Sequence, residues 1–248
     1  MLIIGHRGAR GEAPENTLSG FRYLKSLGIL RVELDIQVSA DGELVVIHDP
    51  FLERTTNGTG LVHEHDASAL ARLDACHNTF KDWPDTEGVP TLRQVMEVLR
   101  DFEHIQFEVK AKTEEHAQRV AALFPALWRE FDFGDRAFTT SFNPRYLQII
   151  KEAAPEIPRG FLIEKDFAGD AVGVAKTLGC RSLGPNQLIC SKELIQAAHE
   201  AGLIVSTWTV NDPERMRELE RDGVDSIITD VPKVALATVG LRSPRTVG

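Results

Sequence analysis

The chain has 248 residues, 42% of them hydrophobic and 26% charged, and a formal net charge of −9. Its pI is about 5.4. The composition is that of a globular protein and excludes a collagen-like or low-complexity chain. The acidic balance argues against general affinity for nucleic acid or anionic membranes, so no nucleic-acid partner is expected. Cys76, Cys180 and Cys190 form no closely spaced motif, which fits a reducing compartment and gives no zinc signature. The run Met1-Leu2-Ile3-Ile4-Gly5 is too short for a signal sequence, and no run approaches the roughly 18 apolar residues of a membrane span. A cytoplasmic protein is expected.

Short β-rich runs alternate along the chain with longer amphipathic stretches. Strands are expected at 2–5, 31–36, 105–110, 136–141, 159–163, 180–184, 203–208 and 225–229. Helices are expected near 16–27, 91–102, 113–130, 144–153, 167–178, 191–201, 212–221 and 231–239. Thr91, Ser191 and Asp212 suit N-caps, and Pro144 and Pro213 suit a first helical turn. Gly28, Gly179, Gly202 and Gly223 stand where helices end in a left-handed residue. Eight strand–helix units in this length predict an α/β fold, a (β/α)8 TIM barrel, with an open doubly wound sheet as the competitor. The last eight residues, LRSPRTVG, are expected to fray.

Residues 37–90 break the alternation. Gln37-Val38, Ser39-Ala40-Asp41-Gly42 and Glu43–Ile47 read as a hairpin, since the turn is too short for a crossover to a parallel strand. Opposing Val38 to Glu43 places Asp35 opposite Val46 and Glu33 opposite His48, all on one face. A rim insertion covers approximately 50–90, with a turn at Asn57-Gly58-Thr59-Gly60 and a short helix around 67–73. The whole chain, 1–248, is expected to be one domain.

The chemistry gathers at the strand ends. Glu33 and Asp35 lie two strand positions apart, about 6.6 Å between Cα atoms. Uncompensated, they would repel by roughly 2 kcal/mol at an effective dielectric near 20. A hard divalent cation removes that penalty, and carboxylate oxygens select Mg2+ or Ca2+ over zinc. Glu108, two residues before Lys110 in the next barrel strand, is the natural third ligand. His6 ends the first strand and His48 the returning hairpin arm; together they fit a general acid and a general base. Arg7 and Lys110 suit a phosphate. A divalent ion, three carboxylates and these two cations sum to about +1, which a phosphodiester monoanion would neutralise. Trp208 is either rim packing or a platform for a polyol. Asp230 reads as a cap of the final helix. His63, His65, His77, His104, His116 and His199 are assigned to the insertion or to helix surfaces.

These residues carry a resemblance. The ordered set His6-Arg7-Gly8-Ala9, Pro14-Glu15-Asn16-Thr17, Glu33-Leu34-Asp35, Asp41-Gly42 and His48-Asp49-Pro50 resembles the glycerophosphodiester phosphodiesterase family. Arg54-Thr55-Thr56-Asn57-Gly58, Pro90-Thr91-Leu92, Glu108-Val109-Lys110, Ser141-Phe142, Trp208-Thr209-Val210-Asn211, Gly223-Val224-Asp225 and Thr229-Asp230 extend it over residues 3–232. The resemblance implies a TIM barrel that hydrolyses glycerophosphodiesters, small-molecule substrates, to glycerol 3-phosphate and an alcohol. On the matching positions it implies that His6 and His48 are the acid/base pair and that Glu33, Asp35 and Glu108 hold Mg2+ or Ca2+. Arg7, Lys110 and Trp208 contact substrate, and Glu15 and Asn16 order the loop and histidines. The stretch Asp74-Ala75-Cys76-His77 departs from the family pattern. The competing readings are a lysophospholipase D or sphingomyelinase D type activity on the same barrel, a metal-dependent aldolase or isomerase, and a non-catalytic binding protein. Long apolar stretches for acyl chains are missing from the insertion. An aldolase would leave the second histidine and the Arg/Lys pair without a task.

Overall fold

A computed structural model describes residues 1–241. The expected frayed tail, apart from Leu241, lies outside the described residues. In chain order the elements are β1 (Leu2–His6), α1 (Leu18–Ser26), β2 (Arg31–Val38), β3 (Leu44–Val46), α2 (Ala67–Leu70) and α3 (Leu92–Val98). There follow β4 (His104–Val109), α4 (Glu114–Phe131), β5 (Ala137–Ser141), α5 (Pro144–Ala153), β6 (Arg159–Ile163) and α6 (Ala171–Thr177). The chain closes with β7 (Ser182–Pro185), α7 (Lys192–Glu200), β8 (Ile204–Thr207), α8 (Pro213–Asp222), β9 (Ser226–Thr229) and α9 (Pro232–Val239). The strand order is β1-β9-β8-β7-β6-β5-β4-β2, with β1 pairing β2 to close the ring and β3 appended to β2. Eight strands are parallel and closed, as a (β/α)8 barrel requires.

Local chemistry explains the elements. Thr91, Ser191 and Asp212 accept backbone N–H groups of α3, α7 and α8 through their side chains. Gly28, Gly179, Gly202 and Gly223 all take positive φ just after helices. The strands bury both faces differently. In β2, Val32, Leu34, Ile36 and Val38 join the apolar layer between sheet and helices. Glu33, Asp35 and Gln37 alternate with them and point into the barrel, where side-chain polarity is high. Gln106 Nε2 crosses that interior from β4 to donate to Ser206 Oγ of β8 at 2.9 Å.

The hairpin register differs from the expected one. Val38 opposes Leu44 and Ile36 opposes Val46, one residue away from pairing Val38 with Glu43. The turn takes the extra residue: Ser39 N–H donates to the Glu43 carbonyl at 2.9 Å, with Gly42 left-handed. Such a slip would send His48 to the wrong face if the ladder continued. The strand ends at Val46 instead, with one last ladder bond from Ile47 N–H to the Asp35 carbonyl at 3.2 Å. Gln37 Nε2 lies 3.1, 2.9 and 2.6 Å from the carbonyl oxygens of Ile47, His48 and Asp49 and wraps this segment over the barrel mouth.

The segment after the hairpin leaves and returns beside β3, where Val46 N–H donates to the Pro90 carbonyl. It has a small apolar core of its own, built on Val45, Ile47, Leu52, Val62, Leu70 and Val89. Its helix is shorter than expected. His104 is not on a helix or in this segment: it opens β4, bonds Gln106 and packs its ring edge-on to Phe138. No helix among the described residues is long and apolar enough to cross a membrane.

Candidate active site

The C-terminal ends of the strands surround a cavity of about 250 Å3. Active sites of this fold gather at that face. His6, Arg7, Glu33, His48, Glu108, Lys110 and Trp208 all border it, and Asp35 lies beneath, fully buried.

The turn after β1 sets the first part. A Cβ on Gly5 would lie 2.0 Å from the Gly8 carbonyl oxygen, so the chain doubles back closely here. Arg7 has φ 51 and Asn16 φ 56, left-handed values that cost non-glycine residues about 1–2 kcal/mol each. Local bonds offset that cost. Arg7 N–H donates to Glu33 Oε2 at 3.2 Å, and Asn16 N–H donates to the Arg7 carbonyl at 2.9 Å. The guanidinium binds Glu15 at 2.9 Å and lies 3.1 Å from Asp35.

Glu33, Asp35 and Glu108 bring carboxylate oxygens within 4.8 Å of one another, all buried. The register places Asp35 beside Glu108 across β2 and β4, and Glu33 beside His6 across β1 and β2. Asp35 is held by Asn16 Nδ2 at 2.8 Å and Lys110 Nζ at 3.1 Å. Lys110 also pairs with Glu108. Despite burial, the Lys110 and Arg7 charges hold the Asp35 carboxyl well below the usual carboxylate range. Glu33 behaves oppositely: burial, then the charges of Asp35 and Glu108, push its carboxyl well above its ordinary value. Burial raises Glu108 too. The Glu33 Oε1 atom is buried without a hydrogen-bond partner. An orphaned carboxylate oxygen among two other acids fits a hard divalent cation, which takes oxygen donors.

Each histidine is anchored through Nδ1. His6 Nδ1 is 2.5 Å from Asp230 Oδ1, and His48 Nδ1 is 2.6 Å from Asp49 Oδ1. A carboxylate on Nδ1 fixes the ring and leaves Nε2 for chemistry. His6 Nε2 faces Glu33 at 3.8 Å. Burial pulls the His6 imidazole below its ordinary value, against the Asp230 hydrogen bond. Burial likewise takes His48 down to about 4, against the Asp35 charge. Asp230 is therefore not the expected helix cap. The residue at the N-cap of α9 is Val231, without a side-chain bond, while Asp230 binds His6 and receives Asn211 Nδ2 at 2.8 Å. Burial alone would raise Asp230, but His6 holds it down at about 2.

Two further side chains, Arg54 and Phe142, stand in the sequence motifs without an assigned place in the site. Arg54, from the inserted segment, donates to Asp49 and makes two bonds to Glu15 at 2.7 and 2.8 Å. It links the anchor of His48 to the anchor of Arg7. Burial alone would raise Glu15, but Arg54 and Arg7 hold it at about 2. Glu15 and Asn16 thus order Arg7 and Asp35 directly, and Glu15 reaches His48 through Arg54 and Asp49. Phe142 packs edge-on against Trp208 with ring centroids 5.2 Å apart. Trp208 stands just past β8, and its Nε1 donates to the Gly184 carbonyl at 2.9 Å. Arg10 and Glu164 also border the cavity. Only the acid beside each histidine had a local signal: Asp49 follows His48 directly, and Asp230 ends a strand.

The sequence profile of the glycerophosphoryl diester phosphodiesterase family matches residues 6–234. The chain belongs to this family. A glycerophosphodiester phosphodiesterase of Caldanaerobacter subterraneus subsp. tengcongensis is 33% identical over 96% of this chain and 97% of that protein. Among solved structures, an Oleispira antarctica phosphodiesterase in complex with the product sn-glycerol-3-phosphate superposes with a TM-score of 0.89 and 29% identity, covering 96% of each chain. A glycerophosphodiester phosphodiesterase of Agrobacterium tumefaciens superposes with a TM-score of 0.82 and 30% identity, covering 96% of this chain and 99% of that one. This phosphodiesterase-family barrel thus has its acids, histidines and cations at one face of one cavity.

Proposed function

We propose that this protein hydrolyses glycerophosphodiesters to glycerol 3-phosphate and an alcohol, using a divalent cation held by Glu33, Asp35 and Glu108. The observation that carries the reading is the meeting of that buried acid triad with two carboxylate-anchored histidines and Arg7 and Lys110 in one cavity. The structural relative holding glycerol 3-phosphate supports it. The all-carboxylate donor set favours Mg2+ or Ca2+.

Bound there, the cation supplies Lewis-acid polarisation of a phosphoryl oxygen. The protein does the rest. Arg7 and Lys110 hold the phosphate and stabilise the charge that grows on it in the transition state. One histidine removes the nucleophile's proton at Nε2, and the other donates a proton from Nε2 to the departing alkoxide. Asp230 and Asp49 keep each ring in the tautomer that presents Nε2. Trp208 offers an apolar surface to the substrate. The chain acts as one catalytic domain, its segment at about 50–90 contributing Arg54 to the site. A cytoplasmic location is part of the same proposal, supported by three buried free cysteines.

Arg54→Met should lower kcat by about 10- to 100-fold, since residues that orient a ligand or base commonly carry that much. Steady-state kinetics beside far-UV circular dichroism checks it; wild-type kcat in a folded variant would remove Arg54 from the network. The reading as a whole is tested by coupled detection of glycerol 3-phosphate over several glycerophosphodiesters. Product is expected; a protein that releases none from any of them is not a hydrolase of this kind.

A further inference from the structure

Two charged residues of the cavity, Arg10 and Glu164, have no part in this chemistry, and Arg10 is paired with Glu15 and Asp230. Glu164 directly follows β6, which stands opposite β1 in the ring of eight parallel strands. Every other charged or titratable group lining the cavity lies in residues 6–48 or 106–110, on the β1, β2 and β4 side. Phe142, Leu162 and Trp208 line the wall with Glu164. Trp208 is fixed by its bond to Gly184 and by its edge-on contact with Phe142.

The Glu164 carboxylate has a neutral partner. Asn186 Nδ2 donates to Oε2 at 3.3 Å. Among the described residues, no lysine or arginine lies within ion-pair distance of it. The cavity is thus polarised: cations for a phosphate on one side, where Lys110 Nζ already lies 5.9 Å from the Phe142 ring centroid, and an uncompensated carboxylate with Trp208 on the other. An anionic or neutral substrate arm gains nothing from that carboxylate. An arm bearing a positive charge gains both from it and from Trp208, since an indole attracts cations through its π face.

We propose that Glu164 and Trp208, the latter braced by Phe142, form a subsite for an ammonium-bearing headgroup, so that zwitterionic diesters are preferred over diesters with an uncharged alcohol. The proposal rests on the hydrolytic reading above and names the substrate class for it. The phosphate of such a diester sits at Arg7 and Lys110, and its ammonium group lies along the opposite wall. Because Glu164 is exposed, the preference is partly screened and weakens with ionic strength.

The test compares glycerophosphocholine with glycerophosphoglycerol in wild type and E164Q, measuring glycerol 3-phosphate release from each. Glutamine keeps the size and the hydrogen-bonding oxygen and removes only the charge. The ratio of kcat/KM, choline over glycerol headgroup, is expected to fall about tenfold in E164Q. In wild type the same ratio should decline as salt is raised. A ratio unchanged by the substitution, including an equal loss on both substrates from a Glu164 that binds the common glycerol arm, overturns the subsite alone. Release from neither substrate by wild type overturns the hydrolytic reading and the subsite with it.

Discussion

His48→Ala is expected to lower kcat by about 10²-fold or more while leaving the fold intact. The side chain is 29% exposed and sits on the segment wrapped over the mouth, so its removal opens no core cavity. What it removes is an imidazole whose Nδ1 is tethered to Asp49 and whose Nε2 is left for proton transfer. His6→Ala should show a similar loss, with a stability cost in addition because this ring is buried. Asp230→Asn and Asp49→Asn keep each contact but favour the wrong tautomer, so both should reduce kcat more than they raise KM. Steady-state kinetics with thermal melts separates these effects. Near-full kcat in His48→Ala would take that histidine out of the mechanism.

Glu33→Gln should give the opposite signs for stability and activity. In the metal-free protein an ionised Glu33 is costly, being buried beside two other acids. As an anion it is repelled by Asp35 and Glu108; two unit charges 4.8 Å apart interact by about 3 kcal/mol at an effective dielectric near 20, a figure that Arg7 and Lys110 partly offset. Burial and that repulsion push its carboxyl well above the ordinary value. Glutamine keeps an acceptor for the Arg7 N–H and removes the charge. The metal-free variant should therefore melt higher than wild type and yet be inactive. Adding Mg2+ should reverse the order: a ligand at 100 times its Kd stabilises the folded state by about 2.7 kcal/mol, and wild type should gain this while the variant does not. Equal Mg2+-induced shifts in both proteins would mean that the acids do not hold the cation.

Much of this arrangement was legible in the chain because it rests on local chemistry. The barrel followed from eight β-rich runs whose intervening helices carry their own punctuation: Thr91, Ser191 and Asp212 at the starts, and left-handed glycines after the ends. The acid triad followed from alternation, because period-two spacing puts Glu33 and Asp35 on the barrel side while Val32, Leu34 and Ile36 meet the helices. The hairpin register did not follow. Turn length depended on a Ser39–Glu43 bond that composition does not reveal, and the path of His48 depends on Gln37, a residue with no sequence signal of its own. Asp230 looked like a cap because it stands between a strand and a helix; only the closure of β1 against β9 shows that it faces His6 from 224 residues away. Arg54 was silent for the same reason, since it acts through partners that the fold alone brings near.

The central claim is that a cation at Glu33, Asp35 and Glu108 and two anchored histidines hydrolyse a glycerophosphodiester. The most direct test treats the purified protein with a chelator, removes the chelator, and follows glycerol 3-phosphate release as Mg2+, Ca2+ or Mn2+ is returned. The account predicts no release from the stripped protein and recovery with at least one of these ions. Undiminished release without metal, or none with any of the three, would contradict it.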